Sequence, residues 1–426
     1  MNKKIGNIFK GDKVIWMVFF FLCMISIVEV YSASSSLTYK SGNYMAPVIK
    51  HMFILCLGVF SMICVLKIKC KYFKLATPVV LIASLLLLVL VLLSGQATNG
   101  ASRWFDLGGI QFQPSEFAKG AVILGVAQIL SALQTETGAD KKAMKFIILT
   151  SIWFIIFIGL ENLSTALLLC ITIFCMMIIG RVPSKQLWRL VGVVLIGITF
   201  ALSLIMIIGK DKNDLPPENS LSEQVTTVKE EPGFGAKIFH RVDTWKSRID
   251  KFFSNKDVTP EEVDLDKDAQ VAHANIAIAS SNIIGKGPGN SVERDFLSQA
   301  FSDFIYAIII EEMGIWGASG VALLYIILLW RAGNIANRCE NNFPAFLCMG
   351  LAILLVIQAL FNMLVAVGLA PVTGQPLPLI SRGGTSTIIN CLYIGIILSI
   401  SRTAKKKDDI SVSLATTNKV SEQKSL

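Results

Sequence analysis

The stretch NGASRWFDLGGIQFQPSEFAKG, residues 99–120, sets Arg103, Trp104, Asp106, Glu116 and Lys119 within two dozen positions of a chain that is 53% hydrophobic. Cations and carboxylates so placed can bind an anion or move a proton. A second group begins at Asn275: NIAIASSNIIGKGPGNSVERDFLSQAFSDFIYAIIIEEMG. Glycines 285, 287 and 289 around Lys286 could offer backbone amides and a cation to an anion, although such a loop reads equally as a flexible re-entry turn. Ser302, Asp303, Glu311 and Glu312 follow, at or inside an apolar run. The third group, LAPVTGQPLPLISRGGTST (369–387), carries Arg382 among three prolines and three glycines. No regular helix survives that composition.

The elements that must hold these residues are membrane helices. With 16% charged residues and a mean hydropathy of +0.62 over 426 residues, the chain exceeds what a water-soluble core needs. Apolar runs long enough to cross a layer of roughly 30 Å recur along it, and outer-membrane barrels lack such runs. They predict an all-α polytopic membrane protein with ten spans, at about 14–32, 47–66, 75–94, 119–134, 146–160, 163–180, 188–208, 301–330, 345–369 and 384–401. The first, preceded by Lys3, Lys4, Lys10 and Lys13, is too long for a signal-peptide core and reads as a span.

Basic residues test the count. Alternate connections carry the N-terminal lysines, Lys67 to Lys74, Lys141 to Lys145, Arg181 to Arg189, Arg331 and Arg338, and Arg402 with Lys405 to Lys407. The intervening short connections hold few, chiefly Lys40, Arg103 and Arg382. Both termini are therefore expected in the cytoplasm. The formal charge of +9 is spread over these loops instead of one folded face, which argues against a nucleic-acid partner. Nine cysteines fall in spans or on the cytoplasmic side, so no disulfide is expected outside. No cysteine or histidine cluster has metal-ligand spacing, which argues against a protein-built zinc site.

A large outer loop, about 209–300, holds the one soluble-like piece. Asp211 to Pro232 reads as a linker, and FHRVDTWKSRIDKFF (239–253) as an interfacial amphipathic helix. In the first group, Trp104 and Phe105 fit an interfacial anchor, Gly108 and Gly109 a tight turn, and Pro114 with Ser115 a helix start. Glu116 and Lys119 then enter a membrane helix, where charge is costly unless paired or facing water. Irregular backbone at membrane depth is tolerated only in protein or at a cavity, so the third group borders the same polar cavity.

NGASRWFDLGGIQFQPSEFAK, IAIASSNIIGKGPGNS followed by SDFIYAIIIEEMG, and PVTGQPLPLISRGGTS resemble, in order and spacing, the signature segments of the SEDS family of FtsW, RodA and SpoVE. The likeness spans roughly residues 14–403, leaving a cytoplasmic N-terminus (1–13) and a disordered cytoplasmic tail (404–426). NGASRW and SDFIYAIIIEEMG look more like the division branch than the elongation branch. The resemblance implies a peptidoglycan glycosyltransferase of the bacterial cytoplasmic (inner) membrane, at the division septum, that polymerises lipid II at the outer face. It also implies a class B penicillin-binding protein, an FtsI-like transpeptidase, and other division proteins as partners.

Glycosyl transfer needs a base near the acceptor hydroxyl and cations for the departing diphosphate. The family acid, counted back from Gln270 in EEVDLDKDAQVAHANIAIAS, falls at Asp264 or Asp266; local spacing departs from DPxGxGYQ, and the choice stays open. Asp250 is a third candidate. Lys119 and Arg103 are the leading cations, with Lys286 and Arg382 behind them, and Trp104, Glu116, Ser302 and Asp303 line the substrate site. Lys119 is expected to pair with a loop carboxylate when substrate is absent. A divalent cation, Mg or Mn, with the diphosphate is chemically reasonable but not required, and no cofactor is otherwise implied. Where relatives read QPDLGTA this chain reads LENLSTA: Glu161 replaces the missing aspartate from one position away, or that carboxylate is dispensable. Arg382 stands where a tyrosine is usual.

Two rival classes share some features. A lipid flippase or transporter would also have charged spans and broken helices, but no inverted repeat is visible. A scaffold for division partners leaves the buried charges unexplained.

Overall fold

The computed structural model describes residues 10–33, 46–94, 96–98, 101–107, 110–208, 269–297 and 302–404. Among these are α1 (Lys13–Ala33), α2 (Ala46–Leu66), α3 (Cys70–Ser94), α4 (Pro114–Ala132), α5 (Lys141–Glu161), α6 (Leu163–Ile179) and α7 (Ser184–Ile208). After the outer loop come α8 (Ala269–Ser280), α9 (Ile305–Ala336), α10 (Asn342–Ala366) and α11 (Thr385–Thr403). With α8 set aside, these fill the ten expected places. Eight are long and apolar enough to cross a membrane by length and composition; α6 is an apolar helix of 17 residues, and α7 takes the seventh place. The chain is a helical, multi-pass membrane protein.

Hydrogen bonds between elements fix which helix ends share a side. Asp12 caps α1 through Val14 N (2.9 Å), and its own amide donates to Ser401 Oγ near the end of α11 (2.9 Å). Its carboxylate accepts from Arg331 Nε towards the end of α9 (2.8 Å). Arg402 reaches Leu66 O at the end of α2 (3.3 Å), and Ala139 N, between α4 and α5, donates to Gly180 O after α6 (3.1 Å). The start of the first span thus meets the ends of the eighth and tenth, and the end of the tenth meets that of the second, as ten alternating spans require. The residues gathered there belong to the lysine- and arginine-rich connections, so charge pattern and geometry agree on the alternation.

The centre of the bundle is α4, α10 and α11, whose apolar windows are 67%, 67% and 72% buried, against 28%, 22% and 28% for α2, α3 and α5. Close approach is bought by glycine: a Cβ on Gly58 of α2 would lie 2.8 Å from Cys391 Sγ of α11. The first group adds something the apolar pattern does not show. Strands β1 (Gln96–Thr98), β2 (Ala101–Leu107) and β3 (Ile110–Phe112) pair antiparallel in the order β1-β2-β3. Leu107 faces Ile110 in the register; Gly108 and Gly109, read as the turn, lie outside the described residues. So do the linker, the interfacial helix at 239–253, the tail after Ala404, and Asp250, Asp264 and Asp266.

Candidate functional site

Pro114 opens α4, which suits a first-turn position whose missing N–H costs nothing. The helix therefore starts before the apolar run at 119, and Glu116 and Lys119 stand one turn apart in its first two turns. Both are buried, Lys119 completely. Lys119 Nζ lies 2.7 Å from Glu116 Oε1 and donates to Gln358 Oε1 of α10 at 2.9 Å. The partner of Lys119 among the described residues is thus the carboxylate of its own helix, not one from a loop. Spacing explains this: residues three apart on a helix are neighbours, and a charge with no access to water takes the nearest counter-charge. Tyr393 of α11 fixes the turn by donating to Glu116 O at 2.6 Å. Its ring fills the space beside Gly120, where a Cβ would lie 2.6 Å from it.

The proline-rich segment between α10 and α11 lies against this turn. Its carbonyls cannot form a ladder, so side chains from three helices, α1, α9 and α10, supply donors. Gln358 Nε2 donates to Pro376 O (3.2 Å), Asn362 Nδ2 to Gln375 O (2.8 Å), and Ser26 of α1 to Ile380 O (2.7 Å). Tyr325 of α9 donates to Pro378 O. Between the last two anchors, buried Leu379 holds a left-handed φ of 67°, a conformation that persists only when the surroundings impose it. Gln375 Nε2 donates to Thr165 Oγ1 of α6 (2.7 Å).

The other groups meet this segment too. Ser381 Oγ donates to Ser302 O (2.6 Å), Asn362 Nδ2 to Asp303 O (2.8 Å), and Ser302 Oγ to Asp303 Oδ1 (3.0 Å). On the other side, Thr385 Oγ1 donates to Gln111 O of β3 at 2.9 Å and accepts from Gln113 N at 3.2 Å. Glu116, Lys119, Ser302 and Asp303 are therefore drawn together by residues 373–385. Arg382 lies in the same segment, where burial lowers its guanidinium pKa from the ordinary value. Arg103 and Trp104 lie on β2, of which only the backbone is described at those positions.

Lys286 is engaged elsewhere. Gly314 breaks α9 with φ 67° and ψ −170°, freeing carbonyls of the turn before it. Lys286 N and Gly287 N donate to Glu311 O (2.9 Å) and Glu312 O (2.8 Å), and Gly289 N to Glu312 Oε2 (2.9 Å). Lys286 Nζ pairs with Glu311 Oε1 at 2.6 Å. Glu311 also accepts from Ser291 Oγ and Val292 N, and Glu312 from Ser32 Oγ of α1. The glycine loop thus spends its amides and its cation on α9 instead of presenting them to an anion. Both glutamates are fully buried and hydrogen-bonded, which is a structural arrangement.

Asn162, in the place of the family aspartate, caps α6 by accepting from Ser164 N (3.1 Å) and Thr165 N (3.3 Å), while Glu161 beside it is buried. A cap needs only the oxygen that asparagine and aspartate share.

The model of the FtsW/RodA/SpoVE family, described as cell cycle protein, matches residues 12–406. The chain belongs to this family. Among curated members it is similar to the probable peptidoglycan glycosyltransferase FtsW of Halomonas elongata, at 29% identity over 91% of this chain and 90% of that one. It is also similar to the protein of the same name from Bacillus subtilis, at 28% identity over 91% and 90%. Among solved structures, a chain from work on structural coordination of polymerization and crosslinking by a peptidoglycan synthase complex superposes with a TM-score of 0.68, at 22% identity over 93% of this chain and 99% of that one. RodA of Thermus thermophilus gives 0.61, at 23% identity over 94% and 100%. The fold is thus shared over nearly the whole chain, and the site at 373–385 lies inside the range matched by the family model.

Proposed function

We propose that this chain is a peptidoglycan glycosyltransferase that polymerises lipid II at the outer face of the cytoplasmic membrane, acting in septal wall synthesis. The observation that carries the reading is the end-to-end similarity to relatives named probable peptidoglycan glycosyltransferase FtsW. The site geometry supports it. Lys119 is joined through Gln358 to the segment that carries Arg382, at the end of the bundle opposite the basic connections, which is where the diphosphate of a membrane-borne donor would arrive on the outer side.

In this reading a loop carboxylate, Asp264 or Asp266, takes the proton from the acceptor sugar hydroxyl as that oxygen attacks the anomeric carbon of the donor. The bond to the diphosphate breaks, and cations stabilise the leaving charge. A divalent cation carried by the diphosphate, Mg or Mn, is compatible with this chemistry; among the described residues no group of three His, Cys, Asp or Glu side chains stands close enough to hold one. A class B penicillin-binding protein is the proposed partner, because a solved structure similar to this chain comes from work on a complex that coordinates polymerization and crosslinking. The test is incubation of purified protein with labelled lipid II, with and without that partner, scoring glycan chains on a gel. Chains above dimer length are expected. Their absence with active partner present, together with translocation of intact lipid II across vesicles, would convert the reading to a flippase.

A further inference from the structure

Helix α10 places two amides one turn apart, Gln358 and Asn362, each 1% exposed. The partners of Gln358 settle which way its amide points. An ammonium can only donate and a carbonyl can only accept, so Oε1 faces Lys119 (2.9 Å) and Nε2 faces Pro376 O (3.2 Å). Asn362 uses Nδ2 twice, towards Asp303 O and Gln375 O, both at 2.8 Å. The carbonyls of consecutive residues 375 and 376 are thus held by side chains from one helix face. The same two side chains reach the cation in α4 and the residues that precede α9.

We infer that Gln358 and Asn362 are positioning residues of the transfer site, joining Lys119, Ser302–Asp303 and the segment 373–381 in one fixed spacing. This rests on the proposed role of Lys119 as a cation for the diphosphate. Each half of the Gln358 amide has its own task. The oxygen orients the ammonium, and so governs binding of the donor's charged head. The N–H group holds the proline-rich segment, whose carbonyls have no regular backbone partner. An apolar residue at 358 would keep the helix and lose both tasks. Glutamate at 358 keeps an acceptor for Lys119 and loses the donor to Pro376 O.

The test compares Gln358→Leu and Gln358→Glu with the parental protein in detergent. KM and kcat for lipid II are measured, with hydrogen–deuterium exchange across 372–382. Gln358→Leu should raise KM at least tenfold and exchange in the segment at least tenfold. Gln358→Glu should raise exchange as in the leucine variant and raise KM as well, because a second carboxylate beside Lys119 repels the donor's diphosphate. Asn362→Leu should raise exchange in the same segment and lower kcat. Parental KM in Gln358→Leu, or unchanged exchange in that variant, overturns the inference. Should the parental protein make no glycan even with its penicillin-binding partner present, the function proposed above falls, and exchange still decides whether these amides hold the segment.

Discussion

Lys119→Met keeps most of the length of the side chain and removes its charge. Glu116, 1% exposed, then loses its partner at 2.7 Å, and its other oxygen already has no hydrogen-bond partner among the described residues. Breaking one side of a buried ion pair costs about 3–5 kcal/mol, because the remaining charge is stranded. The Gln358 oxygen, deprived of its donor, adds about 1–3 kcal/mol. Glu116→Gln/Lys119→Met removes both charges together and leaves an amide beside an apolar chain. The double variant should therefore be more stable than Lys119→Met alone, with a coupling of about 2 kcal/mol or more, in the upper part of the range for contacting residues. Thermal unfolding followed by tryptophan fluorescence in one detergent would compare the parental protein, both single variants and the double. Lipid II polymerisation should be lost wherever Lys119 is replaced. A double variant less stable than Lys119→Met, or a single variant as stable as the parental protein, would refute the view of this pair as a mutually dependent buried unit. Full polymerisation by Lys119→Met would remove the lysine from the site.

One of Asp264→Asn and Asp266→Asn should abolish glycan synthesis without lowering protein level, while the other is nearly silent; gel assays of both would tell, and parental rates in both would move attention to Asp250 and then Glu161. A tag within Asp211–Pro232 should be reached by an impermeant reagent outside the cytoplasmic membrane and the tail after Lys407 should not; protease cleavage of the tail in intact right-side-out cells would contradict ten spans. Gly314→Ala should lower the unfolding midpoint, since a Cβ there would lie 2.3 Å from Ile283 O and the residue would keep φ 67° and ψ −170°, a region essentially confined to glycine that costs an L-residue on the order of 1–3 kcal/mol. An unchanged midpoint would mean that the break in α9 is not held by its contact with the 283–287 loop.

The spans were legible because two independent patterns, apolar length and the side on which lysine and arginine collect, point the same way. The meeting of Asp12, Arg331 and Ser401 shows that packing obeys them. The charged side chains of the first group were legible as well, because lysine and glutamate in a membrane helix must be accounted for. Their pairing was not, since the sequence does not say whether a cation prefers its own helix or a loop. Gln358 and Asn362 passed unnoticed because neutral amides in an apolar run carry no charge signal; their spacing of four in VIQALFNML was the clue available. Glu29, hidden in the first span, was missed although it is a carboxylate. It is completely buried, and neither oxygen has a hydrogen-bond partner among the described residues. The glycine loop misled for a physical reason: the amides that suit a bound anion also suit the carbonyls of a broken helix, and Gly314 supplies those. The strands at 96–112 were obscured because aromatic residues there are explained equally well by an interface.

The hydrogen bond from Asp12 N to Ser401 Oγ has a consequence for how the chain is ordered. A chain whose first helix begins within one bond of the end of its last is, for packing purposes, nearly circular. The bundle would present the same neighbours to each helix wherever along the circle the polymer happened to begin.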